Sequence, residues 1–147
     1  MAKNEMPTIV LPYKLPGGRV CITREENARV CKAIYAEEFA DGRAHPIYYY
    51  IATQRGMGVS VEELLGLCDF DVADGPLMIS TRVRFHRQIL TEQAYEVSGE
   101  IVSLKRKSSR TFGKMDLLEF ALRLSLPEDE TVIECVNSWA LPRREIS

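Results

Sequence analysis

The 147-residue sequence lacks the features that mark several large classes of protein. No apolar run approaches the ~20 residues that span a bilayer, and the first residues, MAKNEM, have no apolar segment of the signal-peptide kind. Lys and Arg number 19 against 21 Asp and Glu, so the chain lacks the basic excess that binds nucleic acids or anionic lipids. We therefore expect a cytoplasmic protein whose partners include neither nucleic acid nor a membrane.

Motifs for several kinds of chemistry are also missing. The sequence has no P-loop, GxSxG, HExxH or strand-linked GxGxxG, so phosphate transfer, serine hydrolysis, zinc chemistry and dinucleotide binding are unsupported. The four cysteines have no metal-type spacing, which predicts free thiols in a reducing compartment, with Cys31 and Cys135 buried. We expect no cofactor and no metal. His45 and His86 are the only histidines.

The most informative segment that is present is HPIYYYIATQRG, residues 45–56. Pro46 suits the first position of a helix, where its missing N–H is not needed. Ile47 to Thr53 have almost no polar face, which predicts a helix over 46–56 that is buried on all sides. Because strand-like runs follow, we expect a sheet wrapped around this helix, with its first N–H groups available to an oxyanion.

Two capping boxes predict two further helices. Thr23 and Glu26 begin a helix to about Ala40, with an apolar stripe of Ala28, Cys31, Tyr35 and Phe39, which ends at Asp41-Gly42-Arg43. Ser60 and Glu63 begin a short helix to about Cys68. Before them, residues 7–22 predict two short extended pieces broken at Pro16-Gly17-Gly18.

From Leu77 onward the hydrophobic period changes from 3.6 to 2. This alternation predicts strands over 77–86, about 94–106, 114–126 and 131–141, the first of them half-buried. Short connections indicate antiparallel neighbours. The whole chain, residues 1–147, is expected to form one α+β domain with its core at about 20–142.

This order of elements resembles the hot-dog fold, and in particular the N-terminal-type domains of the MaoC-like dehydratase/hydratase group. The segment 44–48, AHPIY, matches the one that starts the central helix in that group. The segment 85–89, FHRQI, matches an aromatic-x-Arg-Pro-apolar pattern, with Gln88 in place of the proline. Residues 92–99, EQAYEVSG, match the next strand, so the resemblance covers about 24–142.

The resemblance implies an acyl-thioester ligand, carried by coenzyme A or by acyl carrier protein, and (3R)-hydroxyacyl-thioester dehydratase or enoyl hydratase chemistry. However, the Asp-x4-His signature of the active members is absent. The chain is therefore expected to be such an enzyme or its non-catalytic partner subunit; the alternatives are an acyl-CoA thioesterase and a catalytically silent acyl-binding or assembly module. An unclosed sheet edge and pocket predict a homodimer, or a heterodimer with a second hot-dog subunit.

His45 and Asp41 are the candidate catalytic residues. His45 precedes the first turn of the predicted helix, where a substrate carbonyl would lie, although a lone histidine there more often caps the helix. Asp41 lies four residues upstream and would activate water, as a single acidic residue does in hot-dog thioesterases; the alternative is a solvated loop carboxylate.

The candidate binding groups are two backbone amides and a basic set. The amides of Ile47 and Tyr48 are the first donors after Pro46, so we expect them to face a thioester carbonyl at the subunit interface. Arg or Lys side chains that would hold phosphates of coenzyme A or contact a carrier protein are Arg82, Arg84, Lys105, Arg106 and Lys107. The alternative is a solvated strand face and hairpin end.

Overall fold

A computed structural model describes residues 6–111 and 113–143. The helices are α1 (Arg24–Ala33), α2 (Tyr48–Gly56) and α3 (Val61–Leu67), and a 3-10 turn follows at Val72–Asp74. The strands are β1 (Tyr13–Lys14), β2 (Gly18–Cys21), β3 (Leu77–Phe85), β4 (Ala94–Ser109), β5 (Gly113–Ser125) and β6 (Thr131–Pro142). None of the helices in these described ranges is long and apolar enough to cross a membrane.

The strands form one antiparallel sheet in the order β1-β4-β5-β6-β3, with β2 beside β1 on the same edge of β4. Helix α2 packs on the inner face of this sheet. Tyr48 and Ala52 of α2 are fully buried, and Gly56 lies so close that an added Cβ would be 2.5 Å from Val97 of β4. The predicted antiparallel sheet around a central helix, an α+β hot-dog architecture, is confirmed. The helix itself begins at Tyr48 rather than Pro46, and it is not buried on all sides as predicted, because Arg55 is exposed and Tyr49 to Ile51 are only part-buried.

Both capping boxes and all four long strands lie where the sequence predicts them. The hydroxyls of Thr23 and Ser60 accept from the N–H groups of Glu26 and Glu63, and both glutamates reach back to the cap backbone. All four cysteines are free, and Cys31 and Cys135 are buried as predicted.

Helix α1 is shorter than predicted, because it ends at Ala33 rather than near Ala40. Tyr35 adopts a left-handed conformation with φ 58°, and the N–H of Ala36 donates to the Cys31 carbonyl (2.8 Å), which closes the helix end. Tyr35 is 98% exposed and Phe39 41% exposed, so neither side chain joins the buried core that a continued helical stripe would require. Gly42 does have a positive φ of 84°, but in the loop that leads to α2.

Strand β3 is not half-buried as predicted. It is an edge strand, hydrogen-bonded only to β6 among the described strands. Five of its apolar side chains remain between 37% and 53% exposed: Leu77, Met78, Ile79, Val83 and Phe85. The alternation of the sequence identifies the strand correctly, but no described part of the chain covers either of its faces.

Candidate functional site

The N-terminal end of α2 is held against the segment that joins β3 to β4. The N–H of Ala44 donates to the Ile89 carbonyl (2.8 Å), and the N–H of Thr91 donates to the Gly42 carbonyl (2.8 Å). From the other side, Asn27 of α1, which is buried, accepts the N–H of His45 at Oδ1 (2.9 Å). The start of α2 therefore lies at the end of the sheet where β3 ends and β4 begins.

His45 caps the start of α2 with its ring. Its Nδ1 accepts the N–H of Ile47 (3.0 Å), an arrangement that places the ring proton of a neutral imidazole on Nε2. The N–H of Tyr48 donates to the His45 carbonyl (3.1 Å). Both amides are engaged inside the chain, which corrects the expectation that Ile47 and Tyr48 offer free donors to a carbonyl.

Asp41 points its carboxylate at Arg43 rather than at His45. Its Oδ1 accepts from the backbone N–H (3.3 Å) and from Nε (2.9 Å) of Arg43. These hydrogen bonds hold the pKa of the exposed Asp41 carboxyl below its ordinary value. The same guanidinium stacks on the Phe39 ring, 4.1 Å from its centroid. Asp41 is therefore an ionised loop carboxylate bound to Arg43, and His45 is a capping residue bound to the Ile47 amide.

The Tyr48 side chain joins α2 to α1. Its hydroxyl donates to Glu26 Oε2 (3.3 Å), and burial, followed by the Glu26 charge, raises the pKa of Tyr48 to about 12. Arg55, in the last turn of α2, donates to both Glu26 oxygens (3.2 and 3.0 Å). Tyr48 is thus a neutral, fully buried structural group at neutral pH.

A cleft of about 350 Å³ opens beside the start of α2. Its lining is mostly apolar, with two arginines: Phe39, Arg43, Ala44, Pro46, Phe85, His86, Arg87, Gln88 and Ile89. Arg87 is paired with Glu130 on the neighbouring β-turn. The Tyr49 ring of α2 meets Phe85 edge-on, with centroids 6.2 Å apart, and so adjoins the cleft. A pocket of this composition accommodates an aliphatic chain with an anionic or polar group at its rim.

The predicted basic set is divided between two places. Arg82 and Arg84 lie on the outer face of β3, where Arg82 is 3.8 Å from Glu119 and Arg84 pairs in register with Glu134. His86 Nε2 lies 2.9 Å from the same Glu134 carboxylate. Arg82 therefore has a carboxylate partner on β5, and Arg84 lies beside a carboxylate on β6.

The other members of the set lie on the hairpin that joins β4 to β5. Arg106 is bound to Asp116 (2.8 Å), which is fully buried and also accepts from Arg143 (2.9 Å). Arg143 in turn donates to the carbonyls of Cys68 and Asp69, so it fastens the end of β6 to the end of α3. Lys105 and Lys107 are exposed. Nothing in the hydrophobic pattern distinguishes Asp116 as a buried charge, and sequence reasoning missed it.

Buried polar atoms without a partner among the described residues occur on α2 and on β6. Asn137 of β6 is 1% exposed; its Oδ1 accepts from the Thr81 hydroxyl (3.0 Å), while its Nδ2 has no partner among the described residues. The side-chain nitrogen and oxygen of Gln54 are also buried without a partner among the described residues. The same is true of the indole Nε1 of Trp139. No group of three or more His, Cys, Asp or Glu side chains in residues 6–111 and 113–143 is arranged to hold a metal ion.

No protein-family model matches the sequence, and no curated protein does. Among solved structures, the chain is similar to the ChsH1–ChsH2 complex from Mycobacterium tuberculosis, with a TM-score of 0.67 and 16% identity over 90% of this chain and 83% of that one. It is also similar to the HadBC (3R-hydroxyacyl-ACP dehydratase) complex from the same organism, with a TM-score of 0.68 and 15% identity over 91% and 98% of the two chains. A MaoC-like dehydratase from Rhodospirillum rubrum is similar with a TM-score of 0.61 and 11% identity, over 92% of this chain and 94% of that one.

These similarities establish the class of fold. The chain has the hot-dog fold that the MaoC-like dehydratases and hydratases share, as the resemblance of segments 44–48 and 85–99 predicts. At 11–16% identity, the similarity concerns the course of the backbone.

Proposed function

We propose that the protein is an acyl-thioester-binding subunit of a MaoC-like (3R)-hydroxyacyl-thioester dehydratase or enoyl hydratase. The observation that carries this proposal is the apolar cleft at the N-terminal end of the central hot-dog helix, lined by Ala44, Pro46, Phe85 and Ile89. Such a cleft suits the acyl part of a thioester, carried either by coenzyme A or by acyl carrier protein. The similar HadBC structure is described as a (3R)-hydroxyacyl-ACP dehydratase, which supports the same substrate class.

The acid and base for this reaction come, in our proposal, from a second hot-dog subunit. General acid–base chemistry needs a titratable group within hydrogen-bonding reach of the reacting atoms. Here Asp41 is paired with Arg43, and His45 Nδ1 is engaged by the Ile47 amide. Two of the similar structures are complexes, ChsH1–ChsH2 and HadBC, which supports a function that requires two kinds of subunit.

Strand β3 is the surface for this pairing. The backbone of β3 is unpaired on its outer side, and five of its apolar side chains are exposed. Natural proteins often cover such an edge by pairing it with another strand. A two-fold axis across this edge would continue the sheet from one subunit into the next, with the two β3 strands antiparallel. The part-buried Tyr49 of α2, which meets Phe85 of β3, and the cleft would then adjoin the interface.

The charges of β3 also permit pairing between two copies of this chain. Arg82 and Arg84 lie in the second half of the strand, and the first half, 77–80, has no charge. A two-fold axis at Thr81 places Arg82 opposite Ser80 and Arg84 opposite Met78, whereas an axis at Val83 would place the two arginines opposite each other. In the absence of that second kind of subunit, the purified chain is therefore expected to pair its β3 edge with a second copy, with the two-fold axis at Thr81. The four free thiols support a reducing compartment, which we take to be the cytoplasm.

The test is to incubate the purified chain with crotonyl-CoA, 3-hydroxybutyryl-CoA and butyryl-CoA, alone and with a hot-dog subunit that carries the Asp-x4-His signature and co-purifies with it. We expect the chain alone to bind these thioesters without turnover, and hydration of crotonyl-CoA to begin when the second subunit is added. Hydration by the chain alone, abolished in Asp41→Asn or His45→Ala, would instead make it a complete enzyme. Release of free thiol from butyryl-CoA would favour the thioesterase alternative, in which Asp41 activates water.

A further inference from the structure

The cleft beside the start of α2 is lined by basic side chains and by no acidic ones. Arg43, His86 and Arg87 are among its nine lining residues, and none of the nine is Asp or Glu. His86 lies 2.9 Å from Glu134, whose carboxylate is outside this lining. Arg87 is paired with Glu130, which is also outside it. The lining therefore presents cationic hydrogen-bond donors to a ligand and no carboxylate that would repel an anion.

Arg43 differs from Arg87 in the nitrogen that its carboxylate partner occupies. Glu130 takes Nη2 of Arg87, whereas both oxygens of Asp41 lie at Nε of Arg43, at distances of 2.9 and 2.8 Å. Within residues 6–111 and 113–143, Nη1 and Nη2 of Arg43 make no hydrogen bond or ion pair. These two nitrogens form the outer edge of the guanidinium fork, which can donate two parallel hydrogen bonds to one carboxylate.

The guanidinium of Arg43 is also fixed in orientation. It stacks on the Phe39 ring, 4.1 Å from the ring centroid, and Phe39 lines the cleft as well. Asp41 lines a neighbouring depression of about 380 Å³ but not the cleft, whereas Arg43 lines both. The Arg43 side chain is 32% exposed, against 55% for Arg87. Asp41 therefore holds Arg43 from outside the cleft, and the fork is oriented before an anion binds.

We propose that Arg43 binds a carboxylate at the far end of the acyl chain in the cleft, so that the ligand is a thioester of a short dicarboxylic acid. This inference rests on the proposed function, because it requires the cleft to hold the acyl group. The methylene groups of such a chain contact the apolar lining, and its free carboxylate accepts from the outer edge of the Arg43 fork. The cleft volume of about 350 Å³ lies near the lower end of ligand pockets, roughly 300–1,000 Å³, which favours a short chain.

The test compares two acyl chains of equal length. Calorimetry measures the binding of glutaryl-CoA, whose chain ends in a carboxylate, and of pentanoyl-CoA, whose chain ends in a methyl group. We expect wild type to bind glutaryl-CoA roughly 10-fold more tightly, because a hydrogen bond to a charged group is worth about that much. In Arg43→Gln this preference should disappear, while the affinity for pentanoyl-CoA stays that of wild type and shows that the cleft is intact.

The control is Arg29→Gln, at an arginine of α1 that is also paired with a nearby carboxylate, Glu25 (3.1 Å), but does not line the cleft. This variant should bind both thioesters as wild type does. Equal affinity of wild type for the two thioesters, or an equal loss of both in Arg43→Gln, overturns the inference while the proposed function stands. A preference that is lost in Arg87→Gln but kept in Arg43→Gln overturns the assignment to Arg43.

A second pair of measurements asks whether the carboxylate belongs to a thioester or to a free acid. Monomethyl glutarate carries the same chain and carboxylate without coenzyme A. We expect wild type to bind it more weakly than glutaryl-CoA. Equal affinity for the two would make the ligand a free carboxylic acid, and this overturns the thioester in the inference. A wild type that binds neither glutaryl-CoA nor pentanoyl-CoA overturns the proposed function itself.

Discussion

Glu26 is the residue through which α1 holds the central helix. Its side chain is only 17% exposed and accepts from Arg55, from the Tyr48 hydroxyl and from the Thr23 backbone. The capping-box spacing predicts the bond to Thr23, because that contact is local in sequence. The contacts with Tyr48 and Arg55 join residues 22 and 29 positions apart, and no spacing rule reveals them.

We expect Glu26→Gln to lower the free energy of unfolding at pH 7 by about 1–2 kcal/mol, because it removes the charge that Arg55 and Tyr48 bind. Chiefly through the Arg55 hydrogen bond, the pKa of Glu26 lies below its ordinary value of 4.5. The ionised form therefore contributes stability above pH 4.5, and this contribution is lost as the pH falls through the lowered pKa. Urea unfolding from pH 7 to pH 3 should show the two proteins converging in acid. Glu25→Gln, at an exposed carboxylate one residue away, is the control and should change little.

His45 shows what a residue pattern can and cannot predict at a site. The sequence identifies the start of the central helix, and His45 as its only histidine, from Pro46 and the apolar run that follows. Whether the ring faces a substrate or the Ile47 amide depends on how the backbone at His45 is held. Its N–H donates to Asn27, which lies 18 residues away in the sequence, so no local pattern predicts this contact.

If capping is the main role of His45, His45→Ala should destabilise the protein by about 1 kcal/mol. His45→Asn should recover most of this loss, because asparagine is also a good cap. Thermal unfolding of both variants measures the effect. Equal stability in all three proteins would show that the bond to the Ile47 amide contributes nothing, and a catalytic role would then be the better explanation of this residue.

Among the elements, the strands are predicted better than the first helix. Period-2 alternation depends only on neighbours in the chain, so the bounds of β3, β5 and β6 differ from prediction by one residue at most. The helical stripe through Tyr35 and Phe39 has the right spacing for a helix, but Tyr35 is exposed and Phe39 stacks with the Arg43 guanidinium outside the buried core. Helices gain most of their stability from tertiary packing, so the stripe alone does not extend α1.

The close contact of α2 with the sheet can be tested at its last residue. An added Cβ at Gly56 would lie 2.5 Å from Val97 Cγ2 and 2.8 Å from Val20 Cγ1, both branched and packed. We expect Gly56→Ala to lower the free energy of unfolding by roughly 1–3 kcal/mol through overpacking. Gly66→Ala in α3 is the matched control; it meets nothing within 4 Å and should be neutral or stabilising by about 0.5–1 kcal/mol. Urea titrations that rank the two variants in the opposite order would contradict this packing.

At the scale of the whole molecule, the topology separates residues that the sequence groups together. Arg82 and Arg84 lie on the edge strand, whereas Lys105 and Lys107 lie near the hairpin between β4 and β5, and two strands separate β3 from β4. Composition and spacing predict that both groups are basic and exposed. Only the sheet order shows that β5 and β6 lie between the two groups, which places their strands three spacings, or about 14 Å, apart.

The dimer itself can be tested with two valines of equal exposure. Val83 on β3 and Val102 on β4 are each 37% exposed, but only Val83 faces the proposed interface. Val83→Glu would bury a carboxylate among the apolar side chains of two β3 strands, a cost of several kcal/mol that exceeds what a modest interface supplies. Light scattering after size-exclusion chromatography should give wild type and Val102→Glu twice the mass of one chain, and Val83→Glu the mass of one. A dimer that survives Val83→Glu but not Val102→Glu would move the interface to the other edge of the sheet.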